Sequence, residues 1–517
     1  MPQTIHLDGR SLRLTDVRAV AVDRVQVALS GAAGTRMQST RAVVERLAAA
    51  DAAVYGVNTG FGKLSDVAIP PDRLADLQVN LVRSHAAGVG ALLPEAEARA
   101  MMLLRANVLA KGYSGSRPAL VELLLGMLNT GLYPRVPEQG SVGASGDLAP
   151  LAALALTLIG EGELVRGDRA GPAAAMLAEA GLEPVKLGPK EGISLINGTQ
   201  AHTGIAALSA LEARRLWITA HVAGAMSLEG LMGTPTAFDP RIQEARGQVG
   251  QATSAALLRE LLSGSEIRES HRVGDRRVQD AYALRCMPQV HGPVLDALRF
   301  CEGLIGRELN AATDNPLVFD DGTMLSGGNF HGQAVATALD FMAIVLTNLA
   351  TISERRIDRL VHPDLNESLP PFLSADAGLN SGFMMAQVTA AALASECKTL
   401  SHPASVDTIP TDGNKEDVVP MAMGAAIKLR RVVHNVRHVL AIELMCAAQA
   451  LDYRLPLLPG AGAAAGHARV RALVPTLELD RVLSPDISAL AAAVASGTFS
   501  DDILGATRVA EPFEEKA

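Results

Sequence analysis

Apolar residues recur along most of this chain in long helix-like runs rather than in the strict alternation of strands. From about Thr199 onward, Ala/Leu/Met-rich segments follow one another at 204–231, 241–262, 332–361, 382–400 and 422–451. Each exceeds the usual helix length, which predicts a bundle whose helices span its full height. The earlier part is mixed. Short strands are expected near its start, and a helix over 94–111 with Pro at its beginning, acids in its first turn and Lys111 near its end. A small strand-and-turn insertion opens with GELVRGDRAG at 162–171, and LAPLAALALTLIG predicts a helix after Asp147. Near the C-terminus, PLLPGAGAAAGHARVR reads as a loop before a last helical stretch. The expected fold class is mainly α, a long-helix bundle over 199–517 with a smaller mixed lobe over 1–198. No repeat at solenoid periods is visible.

Composition sharpens this picture. A chain of 517 residues is too long for one compact core. Its 48% hydrophobic and 20% charged residues are those of a globular protein. Only 3% are aromatic, so the core is built from Ala, Leu, Val and Met, which favours helix-on-helix packing. A formal net charge of −9 argues against nucleic acid or an anionic membrane as the main partner. Cys286, Cys301, Cys397 and Cys446 show no CxxC spacing and are read as free thiols of a reducing compartment. The first residues lack an apolar signal core, and the run around FMAIVLTNLA, flanked by Asp340 and Glu354, is too short to span a bilayer. A cytoplasmic, soluble protein is expected. A bundle this large leaves apolar surface on a monomer, so oligomerisation is expected too.

Several common chemistries are missing. There is no GxxxxGK[ST], no GxGxxG after a strand and no HExxH. His434 and His438 have the spacing of a metal pair but no acid or cysteine companion, so no metal is expected. Around Ser145 the chain reads Gly143-Ala-Ser-Gly-Asp147, which breaks the Gly-x-Ser-x-Gly pattern of a hydrolase nucleophile. The same stretch, GSVGASGD at 140–147, is so poor in side chains that it is either a plain turn or a place where the backbone itself reacts. In Ala144-Ser145-Gly146, the glycine nitrogen can approach the alanine carbonyl carbon if the chain bends sharply, which glycine allows. Ring closure with loss of two waters then gives a 4-methylidene-imidazol-5-one, an electrophile that ordinary side chains do not provide. Asp147 sits where a helix N-cap would. On the Ala-Ser-Gly triplet alone, a plain helix-capping loop is the better reading.

The surrounding motifs carry more. GSVGASGDLAPLA resembles the cofactor loop of the aromatic amino acid ammonia-lyases, whose electrophile forms from Ala-Ser-Gly without an external cofactor. The likeness continues in YGVNTGFGKL at 55–64, GISLINGTQ at 192–200, QDAYALRCMPQVHG at 279–292, GGNFHGQ at 327–333 and GLNSGFMMAQVTAAALASE at 378–396. It implies the fumarase/aspartase-like helical fold of that family, Tyr55 as the base that takes the β-proton, and Arg285 as the partner of the substrate carboxylate. It further implies that Tyr282, Asn197 and Gln279 position substrate and electrophile, and that Phe330 shields the ring formed from Ala144, Ser145 and Gly146. Ser84-His85 and Glu416 match the family's histidine enzymes, and Met384 is expected to line the same pocket. The resemblance thus implies deamination of L-histidine to trans-urocanate and ammonia, in a homotetramer whose subunits share active sites. A tyrosine or phenylalanine lyase and an aminomutase are the alternatives within the family; a non-catalytic helical assembly is the alternative outside it. The chain departs from the histidine enzymes at Lys415, Val418 and Pro420 around Glu416, and at Arg83 before Ser84, adding positive charge near the pocket.

Overall fold

The computed structural model describes residues 4–49, 54–275, 277–504 and 512–513, and divides into two compact units. The first comprises Met1–Ser209, Glu302–Asp340 and Pro403–Ile427; the second comprises Ala210–Cys301, Phe341–His402 and Lys428–Ala517. The single expected boundary near residue 198 is therefore replaced by a chain that returns twice to its first unit. The reason is helix length. The four longest helices, Gln200–Gly230, Met287–Glu308, Gln333–Val361 and Ala422–Asp452, each contain one of the boundaries.

Every strand among the described residues lies in the first unit. Ile5–Leu7 pairs in parallel with Val27–Leu29. The expected insertion is the antiparallel hairpin Glu163–Arg166/Arg169–Pro172, joined by Tyr133–Pro134. The centre of this unit is the helix Glu95–Ala110, buried from Glu97 onward. Burying two of its arginines requires partners, and both find backbone carbonyls. Arg99 reaches Val20, Ala21 and Leu128, the carbonyl ends of two other helices, where a cation is favoured. Arg105 donates to the carbonyls of Ser194 and Asn197 at 2.6 and 3.0 Å and to Gln200. One helix thereby fixes the segment 194–200 that enters the site.

In the second unit, helices and the loops between them make up the described residues, with no strand among them. Its core holds Glu443, whose carboxylate takes bonds from Arg356 at 2.5 and 2.9 Å, Ser227 at 2.8 Å and Ser353 at 2.5 Å. With every lone pair engaged, a buried ion pair of this kind locks helix register. Three expectations are corrected. The 241–262 run is two helices, Pro240–Arg246 and Val249–Leu261, because the chain turns into a left-handed conformation at Gly247. The Gly/Ala-rich stretch read as a loop becomes the helix Ala461–Leu473, its alanines being strong helix formers and Gly462 and Gly466 letting it pack closely against Leu261, Val222 and Met226. The apolar run around Phe341 belongs to a 29-residue helix that is long and apolar enough to cross a membrane, yet most of its apolar window is buried inside the protein.

Candidate active site

The Ala144-Ser145-Gly146 loop is held in an unusual bend by two glycines. Gly146 has φ +74° and forms a parallel bridge with Gly198; a Cβ there would lie 2.1 Å from the Gly198 carbonyl oxygen. Gly198, at φ +148°, has Arg105, Gln200 and Thr313 against its own missing Cβ. Only glycine fits either position. Asp147 occupies the N-cap position of Leu148–Leu158 but makes no side-chain cap there. Its carboxylate instead accepts from the backbone of Ala201 and His202 at 2.9 and 3.0 Å and pairs with the His202 ring. It therefore caps the start of the Gln200–Gly230 helix, with its backbone N–H donating to Gly198 at 2.7 Å. These contacts hold its carboxyl below its ordinary pKa even though burial pushes the other way.

Above the loop lies a cavity of about 980 Å³, lined only by residues of the first unit. It gathers Tyr55, Ser84, His85, Ala144, Ser145, Asn197, Phe330 and Glu416, with Gly146 adjoining. The Asn197 amide donates to the Ser145 carbonyl at 2.8 Å, and Ser145 Oγ donates a short bond to Glu416. His85 ends the helix Leu74–His85, its Nδ1 2.8 Å from the Leu81 carbonyl and 3.1 Å from Ser84 Oγ, which fixes the ring. Tyr55 lies in the Gly-rich loop, with the Gly62 N–H 3.5 Å from its hydroxyl and Phe61 against its ring edge.

A family model described as aromatic amino acid lyase matches residues 12–472. The chain belongs to the aromatic amino acid lyase family. It is a carbon–nitrogen lyase, 57% identical over 504 residues to the histidine ammonia-lyase of Anaeromyxobacter sp. (strain K), covering 96% of this chain and 99% of that one. The solved histidine ammonia-lyase from Trypanosoma cruzi superimposes with a TM-score of 0.92 at 41% identity, over all of both chains. The tyrosine aminomutase from Streptomyces globisporus does so equally well, at 0.92 and 39% identity, over 98% of this chain and 100% of that one.

Residues that no motif announced also stand at the lyase's cavity, Asp412 in its lining and Thr411 next to it in the chain. Asp412 sits against the Tyr55 loop, accepting from the Lys63 N–H at 3.2 Å, and Thr411 Oγ1 donates to Glu416 at 2.5 Å. Both are single polar residues of an irregular loop, with no periodic signal to mark them. Burial first, then the negative charges of Asp412, Asp314 and Glu416, push the Tyr55 phenol above its ordinary value of 10, and the Gly62 N–H only partly opposes this. A tyrosine base acting near neutral pH needs a site that favours phenolate, and these acidic neighbours do the opposite. Of the two positive charges foreseen near the pocket, Arg83 is held by Glu161 at 2.5 and 2.9 Å and is not among the lining residues, whereas Lys415 does line the cavity, as does the uncharged Val418. Gln279, Tyr282, Arg285 and Met384 lie in the second unit and are not among the cavity's lining residues. Arg285 stacks 4.7 Å above the Tyr282 ring, and Tyr282 is 71% exposed.

Proposed function

We propose that this lyase deaminates L-histidine to trans-urocanate and ammonia. The observation that carries the reading is the placement of His85 and Glu416 in one cavity with Ser145: an imidazole hydrogen-bond partner and a carboxylate suit a substrate ring that donates hydrogen bonds or carries charge. Lys415 reduces the local negative charge, and its exposed position leaves it largely screened by water.

The loop suits conversion to 4-methylidene-imidazol-5-one by its own residues Ala144, Ser145 and Gly146, with no external cofactor. Supporting this are the Gly146 bend, the Asn197 amide on the Ser145 carbonyl, and the buried Asn197 Oδ1, which has no hydrogen-bond partner. The group supplies an electrophilic carbon for the substrate amine, making a poor leaving group depart more easily. Phe330 covers the loop from the cavity side. Asn197 orients the loop carbonyl. Tyr55 Oη takes the β-proton, and because its neighbours are acidic, a cation must approach before it can do so near neutral pH. Arg285 is that cation in this reading. It binds the substrate carboxylate as a planar fork, with Tyr282 and Gln279 beside it. We place these residues and Met384 at the cavity as contributions of neighbouring copies in a cytoplasmic homotetramer.

The test is a side-by-side assay of L-histidine, L-tyrosine and L-phenylalanine with chromatographic identification of products. Urocanate alone supports the reading. Coumarate or cinnamate moves the substrate to a phenyl ring, and a β-amino acid product moves the enzyme to the aminomutases. Glu416→Gln is expected to weaken histidine turnover relative to tyrosine and phenylalanine; an unchanged preference removes Glu416 from substrate selection.

A further inference from the structure

Conversion of the loop requires the Ser145 hydroxyl to leave, and hydroxide leaves poorly unless it is protonated. The cavity holds a carboxyl aimed at that oxygen. Ser145 Oγ donates to Glu416 Oε1, while Oε2 is held by Thr411 Oγ1 at 2.5 Å. Thr411 is itself bridged to Glu416 through the backbone, its N–H donating to the Glu416 carbonyl at 2.9 Å. Both carboxyl oxygens are therefore engaged, one by a fixed residue and one by the group that must depart. On the other side of Ser145, the Asn197 amide donates to its carbonyl oxygen. Arg105 grips the Asn197 carbonyl from the core, so this donor is fixed as well.

We propose that Glu416 acts before any substrate arrives, as the acid that expels the Ser145 hydroxyl during loop conversion, with Thr411 as its positioning residue. This rests on the reading of the loop as self-converting. In the step, the Ser145 Cα–H bond breaks and its proton passes to cavity water. The electron pair left behind forms the Cα–Cβ double bond as the Cβ–Oγ bond breaks, and that bond's pair stays on Oγ. Glu416 enters this step after taking up one proton from cavity water, so that an Oε1–H pointing at Oγ replaces the bond Oγ donates at rest. That proton completes the departing water, and the proton lost from Cα passes through cavity water back to Glu416. Nothing is oxidised or reduced. Negative charge building on the Ser145 carbonyl oxygen is met by the Asn197 N–H, a donor already in place. The other water comes from ring closure of the Gly146 nitrogen onto the Ala144 carbonyl carbon, a step that does not use the Ser145 hydroxyl. Loss of that hydroxyl then frees Glu416 Oε1, so one carboxyl serves maturation first and substrate recognition afterwards.

The experiment follows the intact mass of the full chain over time after cell-free synthesis. Wild type is expected to lose two waters. Glu416→Gln keeps an N–H that can hydrogen-bond Oγ but has no proton to release, so it should lose its second water at least about 100-fold more slowly. Thr411→Val should slow the loss and Thr411→Ser restore it. Glu416→Asp retains an acid and is expected to convert, which separates loss of the proton from loss of the fold. Full two-water loss in Glu416→Gln at the wild-type rate overturns the proposal, and so does equal failure of the Asp and Gln variants. A wild-type protein that loses no water sinks the self-converting loop and this inference with it, whereas conversion without urocanate formation sinks only the substrate reading.

Discussion

At the residue scale, the proposed chemistry turns on how a tyrosine surrounded by acids would come to accept a proton. Tyr55 is partly buried, with Asp412, Asp314 and Glu416 close enough to raise its pKa, so at neutral pH it holds its proton until a cation approaches. The sign of the pH dependence follows. Below the phenol's pKa, the reactive phenolate grows about tenfold per pH unit, so kcat/KM for the substrate should climb from about pH 6 to pH 9. A flat profile over that window excludes Tyr55 as the base. Tyr55→Phe keeps the ring and its edge contact with Phe61 but removes the hydroxyl. Turnover is expected to fall by about 10²–10⁴-fold, while the intact mass still lacks two waters. Loss of the mass change in Tyr55→Phe would instead place this residue in maturation.

At the element scale, the loop is bent because two helices meet at Asp147. The carboxylate at the start of one helix caps the start of another, so the bend at Gly146 cannot relax without uncapping Gln200–Gly230. Asp147→Ala is expected to cost about 3 kcal/mol or more, since a fully buried carboxylate with several charge-assisted bonds is removed and His202 loses its partner. Denaturant unfolding measures this, and a change below about 1 kcal/mol would show that the capping contributes little. The long helices were legible because their apolar runs are uninterrupted. Met287–Glu308 was not, for Gly292 and Pro293 sit inside it and signal a break that tertiary packing overrides. The Gly/Ala stretch at 461–473 failed in the opposite sense, since glycine reads as loop wherever burial is invisible. In the site, the residues carried by long motifs (Tyr55, Ser145, Asn197, Phe330) converge on the cavity. Thr411 and Asp412 did not announce themselves because they act through contacts that exist only once the chain has folded.

At the scale of the whole molecule, two features concern how the chain behaves as a body. In the second unit, Glu229 is 2% exposed, and its oxygens accept from the Gly460 N–H at 3.1 and 3.0 Å. Burial dominates and pushes its carboxyl up to about 7. A folded pKa above the unfolded one means that stability is full below about 4.5, falls as pH rises, and has lost about 3 kcal/mol once the pH passes 7. Glu229→Gln should flatten this part of the stability curve, so the gap in Tm between variant and wild type should change between about pH 5 and pH 8. A constant gap would mean that Glu229 does not titrate there.

A cavity that gathers His85, Glu416 and Tyr55 contains no arginine among its lining residues, yet the substrate's carboxylate calls for one. Arg285 lies instead beside an exposed Tyr282, in a region where Val278 is 97% exposed, and Leu379, close in sequence to Met384, is 85% exposed. Large apolar side chains left this open are expected to be covered by another protein surface, which the proposed shared-site tetramer would supply. If so, a chain lacking Tyr55 and a chain lacking Arg285 can complement each other. Tyr55→Phe and Arg285→Ala should each be nearly inactive alone, but hybrids from co-expressed, differently tagged chains should regain activity at sites built from one intact contributor of each kind. Activity measured on doubly purified hybrids decides it. Recovery well above the sum of the two single variants requires that Tyr55 and Arg285 act together from different chains, and a simple sum means that each chain carries its whole site.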